Sequence, residues 1–413
     1  MELSDFGARL CRGAGILHLM DDLGQALAAG DKIMMGGGNP GHVPEIQELM
    51  RKRLQSLIGD DHSLRRLIGI YDPPRGEGDM LRALAALLRR EYGWDLDEEN
   101  ICLTCGSQGA FFLLFNMLAG RRRQDCRKIL LPLAPEYIGY ADLCLCDGFF
   151  RSYQPIIEEI GQDMFKYRID FSRLEVGDDV AAICVSRPTN PTGNVLTDGE
   201  VQGLVSMAAD HSIPLILDNA YGLPFPGMIY TEATPIWNEQ IVLCLSLSKF
   251  GLPAARTGII IANKEIIRLL SGLNAVVNLA PSSFGPMLVS DLIESGEIIR
   301  VSKEIIRPFY KSKMERALAA LRHHFQGLHY KVHVPEGSMF FWLWLPDLPI
   351  SSHNLYARLK EKGVVVVPGE QFFPGLPPGW QHTRECLRLT YSQDDGEVER
   401  GLELIAGEIR ALA

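Results

Sequence analysis

The 413-residue sequence has no apolar stretch approaching the ~20 residues a membrane-crossing helix requires. A basic surface is missing too: 41 Lys and Arg against 51 Asp and Glu leave a net charge of −10. Arg121-Arg122-Arg123 is a lone basic run that reads as a solvated loop, so nucleic acid is not expected as a partner. The opening, Met1-Glu-Leu-Ser-Asp-Phe6, is acidic and carries no signal-peptide pattern, which leads us to expect a cytoplasmic protein. Paired metal-ligand spacing is likewise wanting. Nine cysteines is an odd number, and many sit in apolar segments such as Ala182-Ile-Cys184-Val185, as small core hydrophobes of a reducing compartment do. Cys102-Leu-Thr-Cys105 and Cys144-Leu-Cys146 each lack a second pair, so neither zinc nor a redox centre is expected. Gly36-Gly37-Gly38-Asn39-Pro40 is not the dinucleotide pattern G-x-G-x-x-G, and no helix opens at its third glycine. Internal repeats and low-complexity segments are absent.

What remains is an ordinary globular composition, 46% apolar and 22% charged, in a chain long enough for two domains. An amphipathic segment at 13–30 precedes the glycine run, Pro44 opens a helix through 57, and a breaker-rich loop follows at Tyr71-Asp-Pro-Pro-Arg-Gly76. From residue 101 short apolar runs alternate with helical ones. Strands are expected at 101–104, 129–131, 181–185, 215–217, 241–245 and 258–261, with helices at 110–118, 137–146 and 199–210. That alternation predicts an α/β architecture with a largely parallel sheet covered on both faces. Beyond 290 a long helix at roughly 297–325, bent at Pro308, leads into strands at 331–334, 339–345, 364–367 and 387–391 mixed with helices, as in a smaller α+β domain. The expected division is an N-terminal arm at 1–45 packing with the small domain, a large domain at 46–290 and a small domain at 291–413.

In an open α/β sheet, ligands bind beyond the carboxyl ends of the strands. Five of those ends carry polar groups in this sequence. The strand at 101 delivers Gly106-Ser107-Gln108 at a helix start, where free N–H groups and the helix dipole favour a phosphate. The next delivers Tyr137, an aromatic able to stack on a planar ring. The others deliver Asn190, Asp218 with Tyr221, and Ser246 with Lys249, and Arg256 follows as a second cation. Lys249 lies directly after a buried strand, where apolar walls disfavour its charge and make the amine a better nucleophile. A phosphate and an aldehyde on one ligand would suit this set, and pyridoxal 5′-phosphate (PLP) has both.

Gly106-Ser-Gln, Asn190-Pro-Thr-Gly193, Asp218-Asn-Ala-Tyr221, Ser246-Leu-Ser-Lys249, Arg256 and Arg388-Leu together resemble the signature of fold-type-I PLP-dependent aminotransferases, over nearly the full length. Leu133-Ala-Pro-Glu-Tyr-Ile-Gly-Tyr140, Ser186–Asn194, Pro368-Gly and Phe372-Phe-Pro-Gly-Leu376 are similar to the valine–pyruvate branch. The resemblance implies that Lys249 forms the internal Schiff base and then shuttles the substrate proton. It implies that Asp218 pairs with the pyridine nitrogen, that Tyr221 and Asn190 bond the ring's phenolic oxygen, and that Tyr137 stacks on the ring. Ser107, Gln108, Ser246 and Arg256 would hold the phosphate, and Tyr71 would reach the phosphate of a neighbouring subunit in a homodimer. Arg388 would grip the substrate α-carboxylate with Asn190 beside it, and Gly38 would lie against the substrate. Cys105 departs from the small or polar residue expected before Gly106 and is assigned to packing. The expected reaction is transamination between L-valine, or a similar small aliphatic amino acid, and pyruvate. A broad-specificity alanine or aromatic aminotransferase and a C–S β-lyase stay open on the same motifs. A PLP-sensing transcription regulator does not, since about 35 residues before Gly36 are too few for a DNA-binding head. The wall facing the substrate side chain is expected around Ile16, Leu17 and Gly38, with no arginine beside it.

Overall fold

Runs such as 180–186 and 241–246 have no polar face, and strands of that kind are stable when both faces are covered. The computed structural model describes residues 2–11, 17, 21, 24, 32–122 and 125–412, so the expected segment at 13–30 falls largely outside the described residues. In chain order the strands are β1 (Ile33–Met34), β2 (Ile101–Cys105), β3 (Gly120–Arg122), β4 (Asp125–Leu131), β5 (Phe150–Ser152), β6 (Ile156–Ile160), β7 (Met164–Arg168) and β8 (Val180–Ser186). They continue as β9 (Leu215–Asp218), β10 (Ile241–Ser246), β11 (Thr257–Ile261), β12 (Lys331–His333), β13 (Phe340–Trp344), β14 (Val364–Val365), β15 (Val367–Pro368) and β16 (Cys386–Thr390).

The central sheet has eight strands in the order β2-β11-β10-β9-β8-β4-β3, with β5 also pairing β4. The β10–β9, β9–β8, β8–β4 and β4–β5 pairs are parallel, while β11 runs antiparallel to both β10 and β2. Every residue of β8, β9, β10 and β11 is buried. The helix Gly106–Leu118 is apolar on nearly all sides and lies across β10 and β11 as a covering layer. Register levels the functional strand ends: Ser186 sits beside Asp218, Asp218 beside Cys244, and Ser246 beside Gly258.

The second sheet, β15-β16-β13-β12-β7-β6, draws on two distant parts of the chain. β6 and β7 come from between β5 and β8, and β7 pairs in parallel with β12 through Val332 and Met164. The short β1 pairs with β14. Residues 36–41 then run on past the C-terminal sheet, tied by Thr390 N–H to Met35 O and by Ser392 Oγ to Asn39 O.

Two expectations need correcting. The helix expected at 137–146 is a short 3-10 turn, Ile138–Leu143. The long helix spans Glu297–Val301 and Arg307–His324, and its disturbance is a π turn at Ser302–Ile306 rather than a simple bend at Pro308. Proline has no N–H to give the preceding turn and its ring crowds the carbonyl four residues back, so a widened turn just before it relieves both problems.

Candidate active site

Lys249 occupies a single 3-10 turn, Ser248–Phe250, set immediately beyond β10. Gly251 ends the turn with a left-handed backbone (φ 116°), which suits glycine and turns the chain back toward β11. The Lys249 ammonium donates to Gly38 O at 2.5 Å and stands 5.2 Å from the centre of the Tyr221 ring. Burial, with Arg388 and Arg256 nearby, drops its pKa from 10.5 to about 7. Near neutral pH this amine is therefore half unprotonated, as a base or nucleophile must be.

Asp218 closes β9. Its Oδ2 accepts from the Tyr140 hydroxyl at 2.7 Å and its Oδ1 from Ala220 N–H at 2.9 Å. Burial raises its pKa, and these two hydrogen bonds oppose the rise. Arg388 comes from β16, in the other sheet. Its guanidinium carbon lies 4.3 Å from the Phe340 ring centre and 5.3 Å from that of Phe372. Such a desolvated stack is worth about 2 kcal/mol. Its Nη1 donates to Asn190 Oδ1 at 2.8 Å and its Nη2 to Gly36 O at 2.7 Å. Burial lowers its pKa to about 10, so it stays charged at pH 7.

At the start of the helix Gly106–Leu118, the first N–H groups have no partner in the preceding turn. Arg256 lies against this helix start so closely that any Cβ at Gly106 would overlap its guanidinium. A Cβ at Gly258 would stand 2.7 Å from Gly106 C and 2.8 Å from Ser107 N, so only glycine lets β11 approach the helix start. Ser107, Gln108, Ser246 and Arg256 thus converge on one anion cradle, and Tyr137 and Tyr221 line the same cavity of about 1090 Å³. Tyr137 meets Tyr140 edge to face at 5.4 Å. Gln108 Oε1 and Arg388 Nε are buried in the wall of this cavity without a protein partner, as groups awaiting a polar ligand are. An anion cradle, a half-neutral lysine and a buried carboxylate together match the phosphate, aldehyde and ring nitrogen of PLP.

One chain brings together eleven of the twelve expected residues: Gly38, Ser107, Gln108, Tyr137, Asn190, Asp218, Tyr221, Ser246, Lys249, Arg256 and Arg388. Tyr71 is not among them; it lies on the surface, 81% exposed. Ile16 is outside the described residues and Leu17 is exposed. The cavity does contain cations that the sequence did not lead us to expect. Lys313 and Arg316 line it, and each is already bound to Asp395, at 2.6 and 2.7 Å. Sequence reasoning also gave no role to Tyr140, Glu136 or Ser186; for Glu136 and Ser186 the strand-end signal was available, since one follows β4 and the other ends β8.

Such a fold, with a lysine at the end of one central strand and an anion cradle beside it, defines a PLP-dependent enzyme. The sequence matches the family described as "Aminotransferase class I and II" over residues 31–405, and the chain belongs to that family. It is 46% identical over 410 residues to the valine–pyruvate aminotransferase of Escherichia coli K12, covering 99% of this chain and 98% of that protein. Among solved structures it is similar to a putative amino-acid aminotransferase from Psychrobacter arcticum (TM-score 0.97, 42% identity, 100% of this chain and 99% of that one). It is also similar to the valine–pyruvate aminotransferase of Salmonella typhimurium LT2 (TM-score 0.89, 45% identity, 96% and 99%).

Proposed function

We propose that the chain transfers an amino group between L-valine, or a similar small aliphatic amino acid, and pyruvate, giving 2-oxoisovalerate and L-alanine. The observation that carries this is the joint placement of Lys249, with its pKa near 7, and the charged Arg388 in one cavity. The valine–pyruvate relatives support the choice of substrates. When bound, PLP supplies the aldehyde that holds the amino group and a ring that takes up the electron pair left when the Cα–H bond breaks.

The residues of the chain do the rest. Lys249 would take the proton from the substrate Cα and return it on the far side of the transferred nitrogen, two atoms along. With the cofactor bound, Asp218 would hold a proton on the ring nitrogen, Tyr221 and Asn190 would bond the ring oxygen, and Tyr137 would cover the ring. Ser107, Gln108, Ser246 and Arg256 would hold the phosphate. Arg388 receives the α-carboxylate with donors to spare, because Asn190 and Gly36 use only two of its five N–H groups. Gly38 lies against the substrate. The apolar lining of the cavity includes Met34, Val43, Ile306 and Phe309. Lys313 and Arg316 share the single carboxylate of Asp395, so among the described residues each cation of that wall is already engaged in an ion pair before the side chain of an aspartate could reach it. A panel of amino donors offered with pyruvate, read as alanine formed, tests this. Valine should be used and aspartate refused, whereas pyruvate and ammonia released from a donor with a leaving group on Cβ would contradict transamination.

We further infer a homodimer that shares its sites. Ile68, Ile70 and Tyr71 are exposed, as are Val276, Val277 and Leu279. The two groups are neighbours, since Asn274 Nδ2 donates to Pro74 O at 2.6 Å and Ser283 Oγ to Asp72 Oδ2 at 2.6 Å. An apolar face of this kind marks an association surface, and it carries Tyr71. Mixing Tyr71→Ala with Lys249→Ala subunits should restore activity; an active monomer would contradict the shared site. We place the enzyme in the cytoplasm, in keeping with nine free thiols. No helix among the described residues is long and apolar enough to cross a membrane.

A further inference from the structure

The proposed chemistry leaves unused a buried carboxyl that stands close behind Asp218. Glu136 is fully buried just beyond β4, and its backbone N–H donates to Phe372 O at 2.8 Å. Its side chain receives two hydrogen bonds from one residue, Ser186 N–H at 2.9 Å and Ser186 Oγ at 2.6 Å. Ser186 Oγ stands 3.3 Å from the Tyr140 hydroxyl, which donates to Asp218. The titratable groups acting on Glu136 or acted on by it are Tyr140 on its own segment, Cys184 on β8 and Asp218 on β9, and the backbone N–H of Tyr137 favours its charged form.

The protons can be counted. Each hydroxyl has one to give. With both carboxyls ionised, Ser186 gives its proton to Glu136 and Tyr140 gives its proton to Asp218. Two hydroxyl oxygens are then left face to face with no proton between them, and two like charges are buried in one wall. One more proton, on Glu136, lets all four groups run head to tail: Glu136 to Ser186, Ser186 to Tyr140, Tyr140 to Asp218. Burial, reinforced by the charge of Asp218, raises the Glu136 carboxyl to about 8, while its bonds to Ser186 oppose the rise.

We propose that Glu136 is held as the neutral acid, and that Glu136, Ser186 and Tyr140 form a positioning chain that commits the Tyr140 proton to Asp218. Asp218 is then the carboxylate that keeps its charge, aimed and fixed from behind. This rests on the assignment of Asp218 to the pyridine nitrogen. Glutamine at 136 reproduces a neutral acid, with an N–H for Ser186 Oγ and an oxygen for Ser186 N–H. Phenylalanine at 140 removes one oxygen and keeps the ring packed on Phe111 and Phe115.

The test compares holoenzymes of the wild type, Glu136→Gln, Tyr140→Phe, Ser186→Ala and Asp218→Asn. The infrared difference between wild type and Glu136→Gln at pH 7 should show the carbonyl band of a protonated carboxyl, and this variant should keep the wild-type cofactor affinity and pH titration of cofactor absorbance. Tyr140→Phe should weaken cofactor retention about tenfold or more and displace the midpoint of that titration, with Ser186→Ala moving it the same way. Carboxylate bands alone, a Glu136→Gln as damaging as Tyr140→Phe, or a silent Tyr140→Phe would each overturn the chain. If Asp218→Asn perturbs the absorbance while Tyr140→Phe does not, the chain falls and the role of Asp218 stands. If Asp218→Asn is also silent, both fall.

Discussion

The central sheet and the C-terminal sheet each place a desolvated cation in the same cavity, Lys249 partly buried and Arg388 fully so, and desolvation acts on the two in opposite senses for function. Lys249, at the end of β10, starts from 10.5 and is driven to about 7, so it can lose its proton and act as a base. Arg388, in β16, starts from 12.5 and is driven only to about 10, so it remains a cation fit to bind a carboxylate. A comparable environment therefore makes a reactive group of a lysine and a recognition group of an arginine. The two sheets divide the work accordingly, one holding the chemistry and the other the handle common to every substrate.

That division can be broken from either side. Lys249→Ala should have the largest effect, lowering kcat by at least ~10²–10⁴-fold, the usual worth of a positioned acid–base group, while the cradle still retains PLP. Absorbance of retained cofactor and steady-state rates check both halves. Arg388→Ala should cost ~2–5 kcal/mol in kcat/KM for all amino donors alike, and a defect confined to valine would contradict its role. Arg388→Lys sharpens the contrast: an amine in that aromatic slot should lose its charge as Lys249 does, and so fail to restore activity. Substituting alanine or isoleucine for valine changes the apolar wall contact by one or two carbons, and kcat/KM should differ by roughly 10–200-fold. The smallest effect is on pH dependence. An amine attacks only when unprotonated, so the rate at which apoprotein captures PLP should rise about tenfold per pH unit below 7 and level off above. A lysine left at its ordinary 10.5 would still be rising at pH 9.

The strand ends were legible because each short apolar run stops at a polar residue whose chemistry is recognisable by type: Asp218 after Leu215–Leu217, Lys249 after Ile241–Leu245. Their convergence followed from the parallel architecture. β6 and β7 were not legible. Ile156–Ile160 is an edge strand with no buried residue, and the partner that fixes β7, at Val332, lies more than 160 residues away. The π turn before Pro308 escaped notice because a proline announces a disturbance without naming its form. Tyr140 was masked by the expectation of a helix over 137–146. In the 3-10 turn that forms instead, its hydroxyl reaches Asp218, 78 residues on, a contact no local pattern encodes. The cations Lys313 and Arg316 enter the cavity from a helix that reads simply as solvated on that side, and their shared pairing with Asp395 depends on the docking of the final helix.

The claim that burial turns Lys249 into the reactive group is tested most directly by reducing the holoenzyme with borohydride and mapping its peptides by mass spectrometry. The account predicts a cofactor adduct on the peptide containing Lys249 and on no other. An adduct on a different lysine of the cavity, such as Lys313, would contradict it.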